Sequence, residues 1–247
     1  MTATPDFGPI DLSDFTLGAM LRTGIALRRA VRGCATLESA AGTVVRYLHN
    51  RCVDPHSGSR TCVLARFYTT LPFEALDPPL KRHVAASTGS EPSPELRCLT
   101  LLGSAGDEPV WNSRHQSRAH RAIPLRSAES VRAAPMIARL IEGLGVDLEA
   151  VVTGQGAQSY TEARTYDVFH VEQALGSPEI PAQEDFVVPY SVRSVVGFGG
   201  SLRSGELFAV VLFSRVPIPE ASAKRFRAIA LDIRSALFTL GEASIWE

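Results

Sequence analysis

The sequence lacks any apolar run close to the roughly 20 residues that a helix needs to cross a bilayer, so we expect no membrane contact. The first residues, MTATPDFGPIDLSD, are acidic and contain no basic stretch followed by an apolar core. A secretory signal peptide needs both features. These absences predict a cytoplasmic protein.

An excess of charge of one sign is also absent. Lys and Arg together number 25 and Asp and Glu 26, which gives a formal net charge of −1. Domains that bind nucleic acid are usually clearly basic, so we expect no nucleic-acid partner.

Cysteine is scarce, with four residues in a chain of 247. That number does not make a disulfide framework, and we expect reduced thiols. Internal repeats, low-complexity tracts and long linkers are absent as well. Nothing in the chain therefore forces a division into two separate folding units.

Two helices are predicted at the N-terminal end. Ser13 or Asp14 can cap the first. Spacing predicts an apolar stripe of Phe15, Leu17, Leu21 and Ile25, which could pack on the sheet or form a dimer interface, with the arginines at 22, 28, 29 and 32 in solvent. Thr36 can cap the second, which ends near residue 50. We assign residues 1–35 to an N-terminal helical extension and residues 36–242 to the main domain.

Strands and helices then follow in mixed order. β-Branched and aromatic residues predict strands at 61–70 and 96–102, with a short helix at 80–86 between them. Pro135 fits the first turn of a helix that ends at Gly145. Residues 146–152 and 165–171 are predicted to be strands.

The C-terminal part of the chain predicts a hairpin and a final helix. Apolar alternation over residues 186–196 indicates the first strand, residues 204–205 the turn and residues 207–213 the second strand. The glycines at 197, 199 and 200 indicate close backbone packing. With a helix at 219–240, these elements favour an α+β fold with one antiparallel sheet.

Three segments carry a family resemblance: CVLARFYTTLPFEALDPPL (62–80), EPVWNSRHQSRAHRAIPL (108–125) and VFHVEQALGSPEIPAQEDFVVPYSVRSVVGFGG (168–200). They resemble a GAF-like input region that precedes PAS and histidine-kinase modules in bacterial signalling proteins. The resemblance covers residues 37–240. It implies a GAF/PAS-like antiparallel sheet, N- and C-terminal helices packed on it, and a long inserted irregular and helical segment.

The resemblance also implies a function. We expect a bacterial sensory domain that binds an unknown small molecule, forms a homodimer and passes a signal through its terminal helices to a signalling partner; it names no cofactor. The sequence has no kinase, cyclase or phosphatase segment. The chain is therefore either a stand-alone protein that acts on a partner or a fragment.

The irregular stretch at residues 103–127 is the predicted ligand site. Arg recognises carboxylate or phosphate with two hydrogen bonds, and Trp stacks on rings and cations. The alternative is a structural loop with Trp111 in the core. The candidate ligand-binding residues are Trp111, Asn112, Arg114, His115 and His120, with His170 near the same pocket mouth.

Three other hypotheses remain open at this point. His49, Cys52, His56 and Cys62 could together bind zinc, although their spacing matches no standard zinc site and we expect no metal. Some GAF proteins reduce free methionine sulfoxide with thiols, which would involve Cys52, Cys62 and Cys98. These thiols lie in apolar patterns, so we expect no catalysis. The third is a dimerisation module whose pocket is filled by its own side chains.

Overall fold

The computed structural model describes residues 7–117, 120–154, 168–241 and 243–247. The helices in this part of the chain are α1 (Leu17–Val31), α2 (Leu37–Arg51), α3 (Pro78–Thr88), α4 (Ala128–Arg132), α5 (Pro135–Gly143), α6 (Leu148–Thr153) and α7 (Glu220–Phe238). The strands are β1 (Cys62–Pro72), β2 (Arg97–Gly106), β3 (Ala122–Pro124), β4 (Phe169–Val171), β5 (Ser194–Ser201) and β6 (Leu207–Ser214).

The described strands form one six-stranded sheet in the order β3-β2-β1-β6-β5-β4. Each neighbouring pair is antiparallel. The longest strand, β1, lies at the centre beside β6, and the predicted hairpin forms the β5–β6 pair. The predicted α+β fold with an antiparallel sheet is confirmed.

The sheet separates two apolar cores. One contains side chains of α1, α2 and α7, and the other contains side chains of α4, α5 and α6 and of the segment before β5. Successive side chains of a strand point to opposite faces. Strand β6 accordingly sends Val210 to the first core and Val211 to the second, so one strand contacts both layers.

Helix α2 forms as its sequence predicts. Thr36 caps it, and Thr36 and Ser39 form a reciprocal capping box, which satisfies backbone N–H groups that the first turn leaves unpaired. The apolar residues at helical spacing, including Val44 and Leu48, are fully buried against the sheet. Burial of this stripe fixes α2 on the sheet.

Beyond Phe15, the apolar stripe of α1 does not pack on the sheet. Leu17, Leu21 and Ile25 are 60%, 56% and 38% exposed, and the helix is capped by Thr16 rather than Ser13 or Asp14. The buried side instead consists mainly of small residues, Ala19, Thr23, Gly24 and Ala26, with Leu27 and Val31. Small side chains allow a neighbouring helix to approach closely, and Gly24 lies directly against Asp232 of α7.

The strand predicted at residues 146–152 is wrong, and the start of the strand predicted at residues 186–196 is wrong. Residues 148–153 form helix α6, because Asp147 accepts a hydrogen bond from the amide of Ala150 and caps its first turn. Residues 183–187 form a π-helical turn, closed by the Val188 N–H to the Gln183 carbonyl. Strand β5 therefore begins at residue 194 rather than 186. Of the strand predicted at 165–171, residues 165–167 lie outside the described residues.

The assignment of residues 1–35 to a separate extension stays a prediction. Helix α1 shares an apolar core with α2 and α7. In the part of the chain that the structure describes, every helix is too short or too polar to span a bilayer.

Candidate ligand-binding cavity

A cavity of about 300 Å³ lies on the sheet face opposite α1, α2 and α7. Alternate residues of β1 and β6 form its floor. Its cover is the start of α5 and the segment at residues 180–186. The floor residues are Leu64, Arg66, Tyr68, Val211 and Phe213, and the cover residues include Met136, Ile137, Leu140, Ile180 and Phe186.

An aromatic cluster forms one wall of the cavity. The ring of Phe186 meets Trp111 edge-on with centroids 5.6 Å apart, and meets Phe213 edge-on at 5.0 Å. Tyr190 backs Trp111 at 4.6 Å. Edge-to-face geometry is favourable for aromatic pairs. The π-helical turn at Gln183–Val187 is what brings Phe186 over β6.

The polar groups of the cavity gather on β1 and at His120. Arg66 donates from Nη1 to the Tyr68 hydroxyl at 3.1 Å and from Nη2 to Ser117 Oγ at 3.3 Å. Burial, and then the charge of Arg66, lower the pKa of His120. The imidazole is therefore neutral near pH 7, and Arg66 carries the permanent charge of the site.

Two of the six predicted ligand residues, Trp111 and His120, line this cavity. Asn112 instead closes the turn after β2: its side chain accepts from the Gly106 amide at 3.1 Å and donates to the Gly106 carbonyl at 2.9 Å. His170 lies on β4, where Nε2 is 2.8 Å from the Ile218 carbonyl. Its neighbours on β4 belong to the core on the cavity side, so the imidazole is on the opposite face.

Arg114 and His115 belong to a different cluster. Arg114, with only 8% of its side chain exposed, donates to both carboxylate oxygens of Glu38 and, at 2.9 Å, to Asp77. The Trp246 ring covers its guanidinium at 4.7 Å. His115 is exposed, 3.7 Å from Glu38. Both lie outside the cavity lining, and a ligand role for any of the six residues stays a prediction.

Sequence reasoning missed Arg66 and Tyr68, although β1 contained a signal for both. They are two residues apart in the apolar run CVLARFYTTL, and side chains two apart share a face of a strand. A charged arginine in a largely buried central strand indicates an interaction partner or a ligand, because burying an unpaired charge is costly. The cover residues of α5 and residue 186 gave no such signal, because apolar residues there are typical of any core.

The cysteines lie away from the cavity. Cys52 and Cys62 are buried in the core beneath α2, and Cys98 in a small core beside α3. Burial raises the pKa of Cys62 and of Cys98 to about 12 and that of Cys52 well above its ordinary value. A reactive thiol needs a lowered pKa and access; these three have neither.

The zinc hypothesis finds no cluster in the described residues. The His49 imidazole is hydrogen-bonded to Asp107 at 3.3 Å, and the His56 side chain is 94% exposed in a turn. Within the described ranges, no three residues of the types His, Cys, Asp and Glu are grouped so that they could hold a metal ion.

No family model matches the sequence, and a search of curated proteins finds no match. Among solved structures, the chain is similar to a free methionine-R-sulfoxide reductase from Neisseria meningitidis, with 12% identity, a TM-score of 0.46, and 91% of this chain and 92% of that chain covered. It is also similar to the GAF domain of an Acinetobacter phosphoenolpyruvate-protein phosphotransferase, with 12% identity, a TM-score of 0.41 and coverage of 89% and 93%.

A third similar structure is the chromophore-binding domain of a bacteriophytochrome from R. palustris, with 9% identity and a TM-score of 0.44 over 92% of this chain and 64% of that chain. The architecture that the sequence resemblance implied is present: an antiparallel sheet, terminal helices on one face and an inserted segment on the other. The described residues thus have the α+β architecture that the sequence resemblance to GAF-like domains implied.

Proposed function

We propose that the chain is a sensory domain that binds a small molecule in the cavity between β1, β6 and α5. The observation that carries this proposal is the cavity of about 300 Å³, apolar over most of its wall with a few convergent polar groups. Ligand pockets usually have this composition and volumes of roughly 300–1,000 Å³. Arg66, Tyr68 and His120 supply the polar groups.

A signal would pass through the sheet. A ligand in the cavity contacts Val211 of β6, while the adjacent Val210 packs in the core that contains α7. A ligand that fits one arrangement of β6 better than another shifts the population of the two arrangements. Helix α7 would report that shift to a partner protein.

Binding is tested by thermal unfolding of the purified chain with a metabolite library. A compound present at 100 times its Kd stabilises the folded state by about 2.7 kcal/mol, which raises the Tm by roughly 5–10 °C for a chain of this size. Val211→Phe fills part of the cavity and should reduce the shift. Val188→Phe adds the same ring at an exposed position outside the lining and should leave it unchanged.

Two outcomes would contradict the sensor. One is a library without a single stabilising compound. The other is a hit whose Tm shift is equal in the wild type and in Val211→Phe, because that compound would bind elsewhere.

A dimerisation module is the second candidate, favoured by the exposed stripe of α1. Leu17, Leu21 and Ile25 recur every four residues and therefore lie on one face of the helix. Leu231 of α7 is exposed as well, one residue before the aspartate that pairs with Arg28 of α1. Contiguous exposed apolar surface marks interaction sites. We propose a second copy of this chain as its partner, since two-fold dimers are the commonest oligomers.

Light scattering during gel filtration tests the dimer. The wild type should elute as a dimer at about 50 µM, and Leu21→Glu should elute as a monomer with an unchanged cavity. Leu175→Glu removes an exposed leucine elsewhere on the surface and serves as the matched control. A wild type that is monomeric at this concentration would contradict the proposal that the exposed stripe of α1 is a dimer interface.

A further inference from the structure

The guanidinium of Arg66 lies on the floor of the cavity without a counter-ion in the described structure. Among the residues that the structure describes, no carboxylate pairs with it, and its buried Nε has no hydrogen-bond partner. The described lining of the cavity contains no acidic residue. Arg66 is only partly buried, but a charge that faces an apolar cavity without a counter-ion is stabilised by an anion beside it.

The surroundings of Arg66 provide further donors for such an anion. The Tyr68 hydroxyl accepts from Arg66 Nη1, which leaves its own proton to donate. Ser104, the cross-strand neighbour of Arg66 on β2, has a buried hydroxyl with no hydrogen-bond partner among the described residues. Cross-strand neighbours share a face of the sheet at about 5 Å. Arg66 and Tyr68 therefore present two types of donor to the cavity, and Ser104 places a third hydroxyl opposite Arg66, outside the cavity lining.

The rest of the wall excludes a wholly polar ligand. Leu64 and Val211 flank Arg66 on the floor, and Trp111, Phe186 and Phe213 cover the space beside it. The ligand must therefore be charged at one end only. With His120 neutral near pH 7, a single negative charge balances the site.

We propose that the cavity binds an amphipathic organic monoanion, a carboxylate on an aromatic or alkyl body, with the carboxylate on Arg66 and Tyr68 and the body against the aromatic wall. This inference rests on the proposed ligand-binding function and adds the chemical class of the ligand. A guanidinium binds a carboxylate through charge-assisted hydrogen bonds, which are about twice as strong as neutral ones.

Matched acids and amides test the proposal. The probes are 3-phenylpropionate, 2-naphthylacetate and octanoate, each with its neutral amide, titrated calorimetrically into the full chain at pH 7.5. At least one acid should bind about 10- to 100-fold more tightly than its amide. Arg66→Met should weaken the acid to the level of the amide and leave the amide unchanged. Arg139→Met removes an exposed arginine of α5 that pairs with Glu179 and should preserve the preference for the acid.

Two other results of the titrations would overturn the monoanion proposal. Equal binding of acid and amide by the wild type would overturn the monoanion and leave the cavity as a ligand site. Binding by none of the six probes would overturn the monoanion, and the library measurement would then decide the sensor separately. If Arg66→Met does not fold, the acid-to-amide ratio of the wild type and of Tyr68→Phe, expected to fall severalfold in that variant, still decides the question.

Discussion

Arg66 and Arg114 have the same chemistry in opposite surroundings. Arg114 has two carboxylates and an aromatic ring around it, so its charge is fully used within the fold. Arg66 has only hydroxyl acceptors among the described residues. This difference supports a structural role for Arg114 and the ligand-binding role that we propose for Arg66.

Arg114→Met should therefore destabilise the fold without changing the cavity. The substitution leaves Glu38 and Asp77 largely buried without their cation, and removal of one partner of a buried pair costs about 3–5 kcal/mol. Urea unfolding measures the loss. Arg139→Met breaks an exposed pair and should cost less than about 1 kcal/mol; equal losses in the two variants would contradict the network.

The thiols make a second prediction at this scale. Iodoacetamide should modify Cys34, which is partly exposed, and leave Cys52, Cys62 and Cys98 unmodified until the chain is unfolded. The cause is burial, which both blocks access and raises the pKa of the three thiols. Peptide mass mapping gives the result. Rapid native labelling of any of the three would reopen the thiol-enzyme hypothesis.

Residue types near a site were predictable here, and their partners were not. The Arg/His/Trp stretch at 103–127 contains two cavity residues, Trp111 and His120. The partner of Arg114, however, is Glu38, 76 residues away. No local sequence pattern indicates which of the arginines forms an ion pair with a carboxylate so far away in the chain.

At the scale of helices and strands, α2 packs closely on strand β2. Gly103 of β2 lies against the backbone of α2, where an added Cβ would be 2.7 Å from the Ala41 carbonyl. Backbone cannot rotate away as a side chain can, so the helix must shift.

Gly103→Ala should therefore lower the free energy of unfolding by about 1–3 kcal/mol, the usual cost of overpacking. Gly18→Ala is the matched control at an exposed position in the first turn of α1, where the added methyl meets only the flexible end of Arg22 at 3.3 Å. There, loss of glycine should leave the stability unchanged or raise it by less than the ~0.5–1 kcal/mol typical of a mid-helix position. Denaturant unfolding of both variants gives the comparison, and a neutral Gly103→Ala would contradict the tight contact.

Elements with long periodic patterns were predictable, and short ones were not. Helices α2, α5 and α7 and strands β1, β2 and β6 lie where their patterns indicate. The two failures are short apolar stretches. The conformation of residues 146–152 depends on the cap at Asp147. That of residues 186–193 depends on the side chain of Gln183, which donates to the carbonyls of Ala174 and Ile180. The sequence left open what the apolar stripe of α1 contacts, because leucine at helical spacing indicates a face of the helix but not what covers it.

The whole molecule should lose stability in mild acid. Burial is the main cause that lowers the pKa of His49, and burial also lowers those of His83 and His120. The unfolded chain then binds protons more readily than the folded one below about pH 6.5, the ordinary histidine value. The stabilisation is complete above that pH and is lost as the pH falls towards the lowered values.

Urea unfolding at pH 7.5 and pH 5.5 measures this loss. His49→Gln should reduce the difference in unfolding free energy between the two pH values, because glutamine does not titrate. Its amide can still donate to Asp107, so the contact is kept. His56→Gln, at an exposed imidazole, should leave the difference unchanged. A wild type equally stable at both pH values would contradict the histidine argument.

At this scale the architecture followed from the sequence and the ligand site did not. Alternation of strands and amphipathic helices, with the GAF-like resemblance, implied the antiparallel sheet and its helical layer. A cavity, in contrast, is a volume left between elements, and its existence depends on how far α5 lies from β1 and β6. Sequence patterns indicate which elements surround that space but not the distance between them.

The last residues of the chain have a mechanical consequence. The carbonyls of Ser244 and Ile245 accept from the amides of Leu37 and Glu38, and the Trp246 indole donates to the Ala75 carbonyl at 2.8 Å. The segment after α7 is thus a tether to the first turn of α2. We expect a torque on α7 to load α2 through this tether as well as through the shared core. We therefore expect α2 and α7 to move together when either of them is displaced.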